Sequence, residues 1–143
     1  MKDLEWKDEY LLGIPELDMQ HEGIFDCFVS IAEALNKRDK WLADSSVVQL
    51  VALLQSHCAV EESLMRILGY PELDRHIEEH RQFHAELHDL AQKSLRMKGS
   101  VSHEMINLVH KWLQKHIMTS DRDYAAYFSG LSRRRAVKKR VAK

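Results

Sequence analysis

Apolar side chains recur every three or four residues along four long stretches of this chain, the period of helices that bury one face. In the first, Ile24, Phe25, Phe28, Ile31, Ala32 and Leu35 form a stripe that starts after Asp18, a residue suited to capping a helix, and ends near Asn36 to Lys40. The second stretch predicts a helix from about Asp44 or Ser45 to Leu68. Leu50, Leu53, Leu54, Leu64, Met65 and Leu68 face inward, and Gly69 and Pro71 are the stop. A third helix is predicted from near Pro71 to about Met97, through Leu73, Ile77, Phe83, Leu87, Leu90 and Ala91, with Gly99 closing it. The fourth starts around Val101 or Ser102 and carries Met105, Val109 and Trp112 on one side. Residues 1–17 are broken by Gly13 and Pro15 and hold Trp6, Tyr10, Leu11, Leu12 and Ile14, which predicts an extended arm packed onto the body. Four amphipathic helices with short joints predict an all-α fold, an antiparallel up-down-up-down four-helix bundle.

Polar residues interrupt these stripes at helical spacing. His21 sits in the first stripe, His57 and Glu61 in the second, His76 and His80 in the third, and His116 in the fourth, with Asp121 five residues beyond it. A neutral histidine can be buried with one hydrogen bond, but a buried carboxylate costs several kcal/mol unless it is paired or metal-bound. Five imidazoles and two carboxylates in one small core therefore predict a shared metal pair. Imidazole suits iron, copper, zinc and nickel, and carboxylates bridge two hard or borderline cations. His57 and Glu61 are four apart, as are His76 and His80, so each pair projects from one helix face. His116 and Asp121 would lie about 140° out of line on a regular helix. That mismatch predicts a distorted turn near Thr119 and Ser120. Spacing alone leaves the register of the third helix open, because His84 and His88 continue the same ladder. His103 and His110, about 120° to 140° around the fourth helix from His116, are expected on the surface.

Composition narrows the class. At 143 residues the chain is the size of one domain, and 45% hydrophobic content with only 5 Gly and 2 Pro fits a helix-rich globule. Seven of the 21 basic residues fall in 133–143, which holds no acid, so residues 1–132 set 14 basic against 22 acidic groups, a balance of about −8. A body that acidic argues against general nucleic-acid binding. The expected division is a bundle over 1–132 and a basic tail over 133–143. The tail reads as a solvated, mobile end, or else as a docking segment for an anionic protein or membrane surface. Cys27 and Cys58 show no metal spacing and read as small buried residues. The acid-studded start lacks the pattern of a signal peptide, and no run approaches the roughly 20 apolar residues of a membrane span. A cytoplasmic setting is the expectation.

The landmarks Trp6, GIPELDMQH ending at His21, H-x-x-x-E at 57–61, GYPELDRHIEEH ending at His80, and WLQKHIMTSDRDYAAYF with His116 and Asp121 resemble the hemerythrin family in its bacterial single-domain form. The resemblance spans residues 6–128 and selects His76 and His80 from the ladder. It implies two iron ions joined by a bridging oxo or hydroxo group. One iron would take His76, His80 and His116, and the other His21 and His57. Glu61 and Asp121 would bridge both, so the two-histidine iron keeps one position open for dioxygen. It also implies an apolar oxygen pocket formed by Ile24, Cys58, Trp112, Leu113 and Ile117. The family often has Phe where this chain has Cys58, a smaller group that opens the pocket. The implied function is reversible dioxygen binding for carriage, storage or delivery, without enzymatic turnover. The alternatives are a sensor module, or a di-iron oxidase, peroxidase or nitric-oxide-handling enzyme.

Overall fold

The computed structural model describes the backbone of residues 4–96 and 101–141 and, within those ranges, every side chain except those of residues 90, 91 and 93–96. The side chains of Leu90 and Ala91 and the expected helix end at Met97 to Gly99 lie outside the described residues. Four helical segments build the body. They are α1 (Pro15–Asn36), α2 (Lys40–Ile67), α3 (Leu73–Arg96) and a fourth, interrupted one made of α4 (His103–His116), a π-turn (Ile117–Asp121) and α5 (Arg122–Val141). α1 packs on α2, α2 on α3, α3 on α4 and α4 on α1, so sequential neighbours close a ring as short connections require. No helix among the described residues is long and apolar enough to cross a membrane.

Local chemistry explains where the helices begin and end, and it corrects several expectations. α1 starts four residues earlier than expected, because Pro15 occupies its first turn. Asp18 is therefore inside the helix, and its carboxylate accepts from the Leu12 and Gly13 N–H groups at 2.8 and 3.1 Å, tying the arm to the body. α2 starts at Lys40 instead of Asp44 or Ser45, because Asp39 accepts from the Leu42 N–H at 3.0 Å and caps it. Between α1 and α2 the chain turns through Arg38, a non-glycine residue with φ of 56°. Gly69, at φ of 68°, closes α2 with the Tyr70 N–H donating to the Met65 carbonyl at 2.9 Å. Ser102 caps α4 by accepting from the Met105 N–H at 3.2 Å.

Two expected burials reverse. Leu53 is exposed, because the inward arc of α2 runs through Leu50, Leu54, His57, Glu61 and Met65. His110, expected at the surface, is buried with its ring edge-on to Phe25 and Phe28, at centroid distances of 5.3 and 5.5 Å. A helix held between two neighbours buries an arc wider than one stripe, and His110 is buried together with Ile106, Val109 and Leu113. The tail continues α5 as exposed helix to Val141.

The buried apolar residues divide into two clusters. One holds Ile24, Phe25, Phe28, Leu50, Leu54, Phe83, Leu113 and Ile117; the other holds Leu17, Met65, Tyr70 and Tyr124. On each helical segment the polar residues fall between a member of one cluster and a member of the other: His21 between Leu17 and Ile24, Glu61 between Leu54 and Met65, His80 between Tyr70 and Phe83. The seven polar residues thus form a layer across the bundle with an apolar cluster on either side.

Candidate metal centre

Side chains from all four segments converge in this layer, and His21, His57, Glu61, His76, His80, His116 and Asp121 are all buried. The π-turn supplies the one that helical spacing would have misplaced. Its wide turn brings residues five apart onto one face, so Asp121 and His116 meet, with Nε2 of His116 at 3.0 Å from Oδ1 of Asp121. The Thr119 hydroxyl donates to the Lys115 carbonyl at 2.7 Å, a side-chain bond that competes with the regular helical ladder where the break falls.

The two carboxylates divide the layer. Oε2 of Glu61 lies 3.3 Å from Nε2 of both His76 and His80, while Oε1 lies 2.8 Å from His57 and 3.6 Å from His21. Oδ1 of Asp121 lies 3.3 Å from His76 and 3.0 Å from His116, while Oδ2 lies 3.3 Å from His21. Each acid therefore points one oxygen at a three-histidine group and the other at a two-histidine group. The resulting donor sets are Glu61, His76, His80, His116 and Asp121 on one side and His21, His57, Glu61 and Asp121 on the other, each with ligand atoms within 4.8 Å of one another. Of the histidine ladder on α3, only 76 and 80 enter the layer; His84 is half-buried and His88 exposed.

Outer partners set the direction of the imidazoles. The His57 Nδ1–H donates to Oε1 of Gln20 at 2.6 Å and the His80 Nδ1–H to Oε1 of Glu62 at 2.9 Å. His116 presents Nδ1 to Oε2 of Glu79 at 3.2 Å, and the Ser120 hydroxyl holds that same oxygen. With Nδ1 acting as donor, Nε2 of each of these rings carries its lone pair inward, as metal-binding imidazoles require. The Tyr124 O–H, fully buried, donates to Oε1 of Glu61 at 2.8 Å.

The layer is electrostatically set to receive positive charge. Burial would lower the pKa of His21 and of His76, but the adjacent Asp121 and Glu61 carboxylates outweigh it and lift both to about 9. Burial would raise the Glu61 and Asp121 carboxyls, yet the surrounding histidines hold both below the ordinary carboxylate range. Both oxygens of Asp121 and both ring nitrogens of His21 are buried without a well-formed hydrogen bond. Such atoms are costly in an apolar core unless a cation draws them together. A mixed imidazole and carboxylate donor set with two shared acids fits a pair of borderline or hard metal ions.

Around the layer, Ile24, Leu113 and Ile117 are buried in one apolar cluster, and the half-buried Trp112 packs against it. The Trp112 ring stacks on His116 at 4.6 Å and 13°, and on Phe83 at 3.7 Å and 9°. Cys58 is buried, and burial, with the Glu61 and Asp121 charges adding to it, pushes its thiol pKa up, so it is a neutral wall residue. Trp6 of the arm lies over His21, with ring centroids 6.4 Å apart. Sequence reasoning missed Gln20, Glu62, Glu79, Ser120 and Tyr124. Four are chain neighbours of donors, and Tyr124 lies three residues past Asp121. No pattern in the chain says which of the polar residues flanking a donor turn toward it.

The family profile described as the Hemerythrin HHE cation binding domain matches residues 12–128. A bacteriohemerythrin of Clostridium acetobutylicum is 29% identical over 126 residues, covering 83% of this chain and 96% of that one. A bacteriohemerythrin of Stenotrophomonas maltophilia is 29% identical over 124 residues, 85% of this chain and 79% of its own. A myohemerythrin of Theromyzon tessulatum is 27% identical over 120 residues, 84% of this chain and 89% of its own. The match runs through all four segments that meet in the polar layer, and this chain belongs to the hemerythrin family.

Proposed function

We propose that this chain binds dioxygen reversibly at a non-haem di-iron centre and serves as an oxygen carrier, store or delivery protein. The observation that carries this reading is the division of each buried carboxylate between the two histidine groups. His76, His80 and His116 would hold one iron and His21 and His57 the other, with Glu61 and Asp121 bridging both. The iron pair, when bound with its bridging oxo or hydroxo group, supplies the two-electron redox capacity that reversible dioxygen binding needs. On the two-histidine side the chain offers one donor fewer, so that side is where a small ligand has room.

The chain's own residues then decide what reaches that side. Ile24, Leu113 and Ile117, each at most 2% exposed, present only hydrocarbon and exclude water and ions. Cys58 adds a neutral thiol to the wall, and Trp112 braces the opposite side by stacking on His116. Gln20 and Glu62 fix the tautomers of His57 and His80, which keeps Nε2 available as a donor. The relatives compared above bear the names of bacteriohemerythrins and a myohemerythrin, in line with this reading.

Iron analysis of the purified protein, followed by an anaerobic spectrum, oxygen addition and evacuation, tests the reading. The expected result is about two irons per chain and a visible band that appears with oxygen and fades on its removal. Irreversible bleaching would overturn the carrier role. Steady consumption of peroxide or nitric oxide far faster than spontaneous oxidation would replace it with an enzymatic one.

A further inference from the structure

α2 differs from the other helices on its solvent side. Between Lys40 and Arg66 no exposed residue is charged; the acids of that span are the buried Glu61 and the half-buried Asp44 and Glu62. Trp41, Val48, Leu53, Val60 and Ile67 are 79, 70, 37, 40 and 80% exposed. Ser45, Ala52, Ser56, Ala59 and Ser63 run between them at spacings of three, four or seven residues, so they line up along one side of the helix. Small residues in such a line let a second helix approach closely, and the flanking aliphatic groups then close over the seam.

The pattern is symmetric about residue 54. An antiparallel copy of the same helix would set Trp41 against Ile67, Ser45 against Ser63, Val48 against Val60 and Ala52 against Ser56, all of them exposed. The same register brings Arg66 of each copy beside Asp44 of the other, so the one exposed cation of the face meets an acid at each end. The face is about 39 Å long at 1.5 Å per residue. Its apolar residues expose roughly 600 Å², as much as the largest patch of a typical monomer. With the intervening Ser and Gln side chains it approaches the ~800 Å² per partner of a stable complex. A lipid surface fits less well, because interfacial helices carry basic residues beside the apolar face and this body is net acidic over 1–132.

We infer that the outer face of α2 docks on the same face of a second copy of this chain, antiparallel and about a two-fold axis near residue 54. The inference is independent of oxygen binding. It also places the helix that carries His57 and Glu61 at the centre of the assembly.

Sedimentation of the full chain at about 100 µM tests it. The expected mass is twice the 16.8 kDa of one chain. Val48→Glu and Ala52→Glu, each placing carboxylates across the seam, should return the mass to one chain with helicity and metal content unchanged. The register is read by cross-linking. A mixture of the single variants Ala52→Cys and Ser56→Cys should form mixed disulfides faster than either alone. A parent chain that stays monomeric, or variants that stay dimeric, would overturn the inference. So would cross-linking of each single variant in preference to the mixture. Trp41-dependent cosedimentation with phosphatidylcholine vesicles would likewise overturn it by assigning the face to lipid.

Discussion

Replacing Tyr124 with Phe removes one oxygen atom from the wall of the polar layer and leaves the packing in place. The ring is fully buried, edge-on to His76 at 5.4 Å and to Tyr70 at 6.3 Å, and these contacts survive in Phe. What is lost is the O–H donor to Oε1 of Glu61 at 2.8 Å. A hydrogen bond to a charged group nets about 1.5–3 kcal/mol, and stranding a buried acceptor lies toward the upper end. Oε1 keeps the His21 imidazole at 3.6 Å, whose pKa is raised to about 9 so that it is positively charged at neutral pH, and the lower half of that range applies. The expected loss for the metal-free chain is about 1.5–2 kcal/mol, seen in urea as a lower midpoint with an unchanged slope. At roughly 2–4 °C per kcal/mol for a chain of this size, Tm falls by about 3–8 °C. Metal affinity should fall about 10- to 100-fold, the effect of removing an outer partner of a ligand. Tyr127→Phe is the control, since its O–H meets only the Gly69 carbonyl at an exposed position; it should change stability by less than about 0.5 kcal/mol. If Tyr124→Phe matches that control in both stability and metal affinity, the hydroxyl does not support Glu61 and the reasoning fails.

The pH dependence of the metal-free chain should be opposite to that of the metal-loaded one. His21 and His76 are at about 9 in the fold, because the carboxylates outweigh burial, against 6.5 unfolded. The stability they contribute is full below pH 6.5 and lost as pH rises through 9, so melting with chelator present should fall over that window. With metal bound the ligands must be deprotonated, and retention should weaken as pH falls. A flat metal-free melting profile from pH 6 to 10 would count against the cluster's electrostatics. Arg38→Gly should raise stability by roughly 0.5–1 kcal/mol in denaturant titrations, because Arg38 holds a left-handed φ of 56° that glycine adopts without strain. Leu113→Asn should speed spontaneous oxidation of the iron-loaded protein by wetting the apolar wall. An unchanged rate in an intact fold would remove Leu113 from that wall.

What could be read from the chain and what could not follows a physical divide. Helical existence, the inward histidines and the pairing of His57 with Glu61 were legible because a helix converts spacing into direction without reference to anything else. The break between His116 and Asp121 was legible as a contradiction, since two inward residues five apart cannot share a regular helix, and the π-turn resolves it at Ile117–Asp121. The start of α2 was missed because its first turn is apolar outward as well as inward, which hides the boundary in the pattern; its cap is the side chain of Asp39.

The sequence by itself determined which residues could bind a cation and on which helices they ride, because donor chemistry and helical period are properties of the chain. Only the tertiary structure decided how the two acids divide their oxygens between the histidine groups and which outer residues, Gln20, Glu62, Glu79 and Tyr124, aim the donors. It likewise decided that His110 goes inside while the face of α2 from Trp41 to Ile67 stays outside. Each of these depends on where a neighbouring helix stands. An inward direction is local, whereas a contact needs two elements brought together by packing.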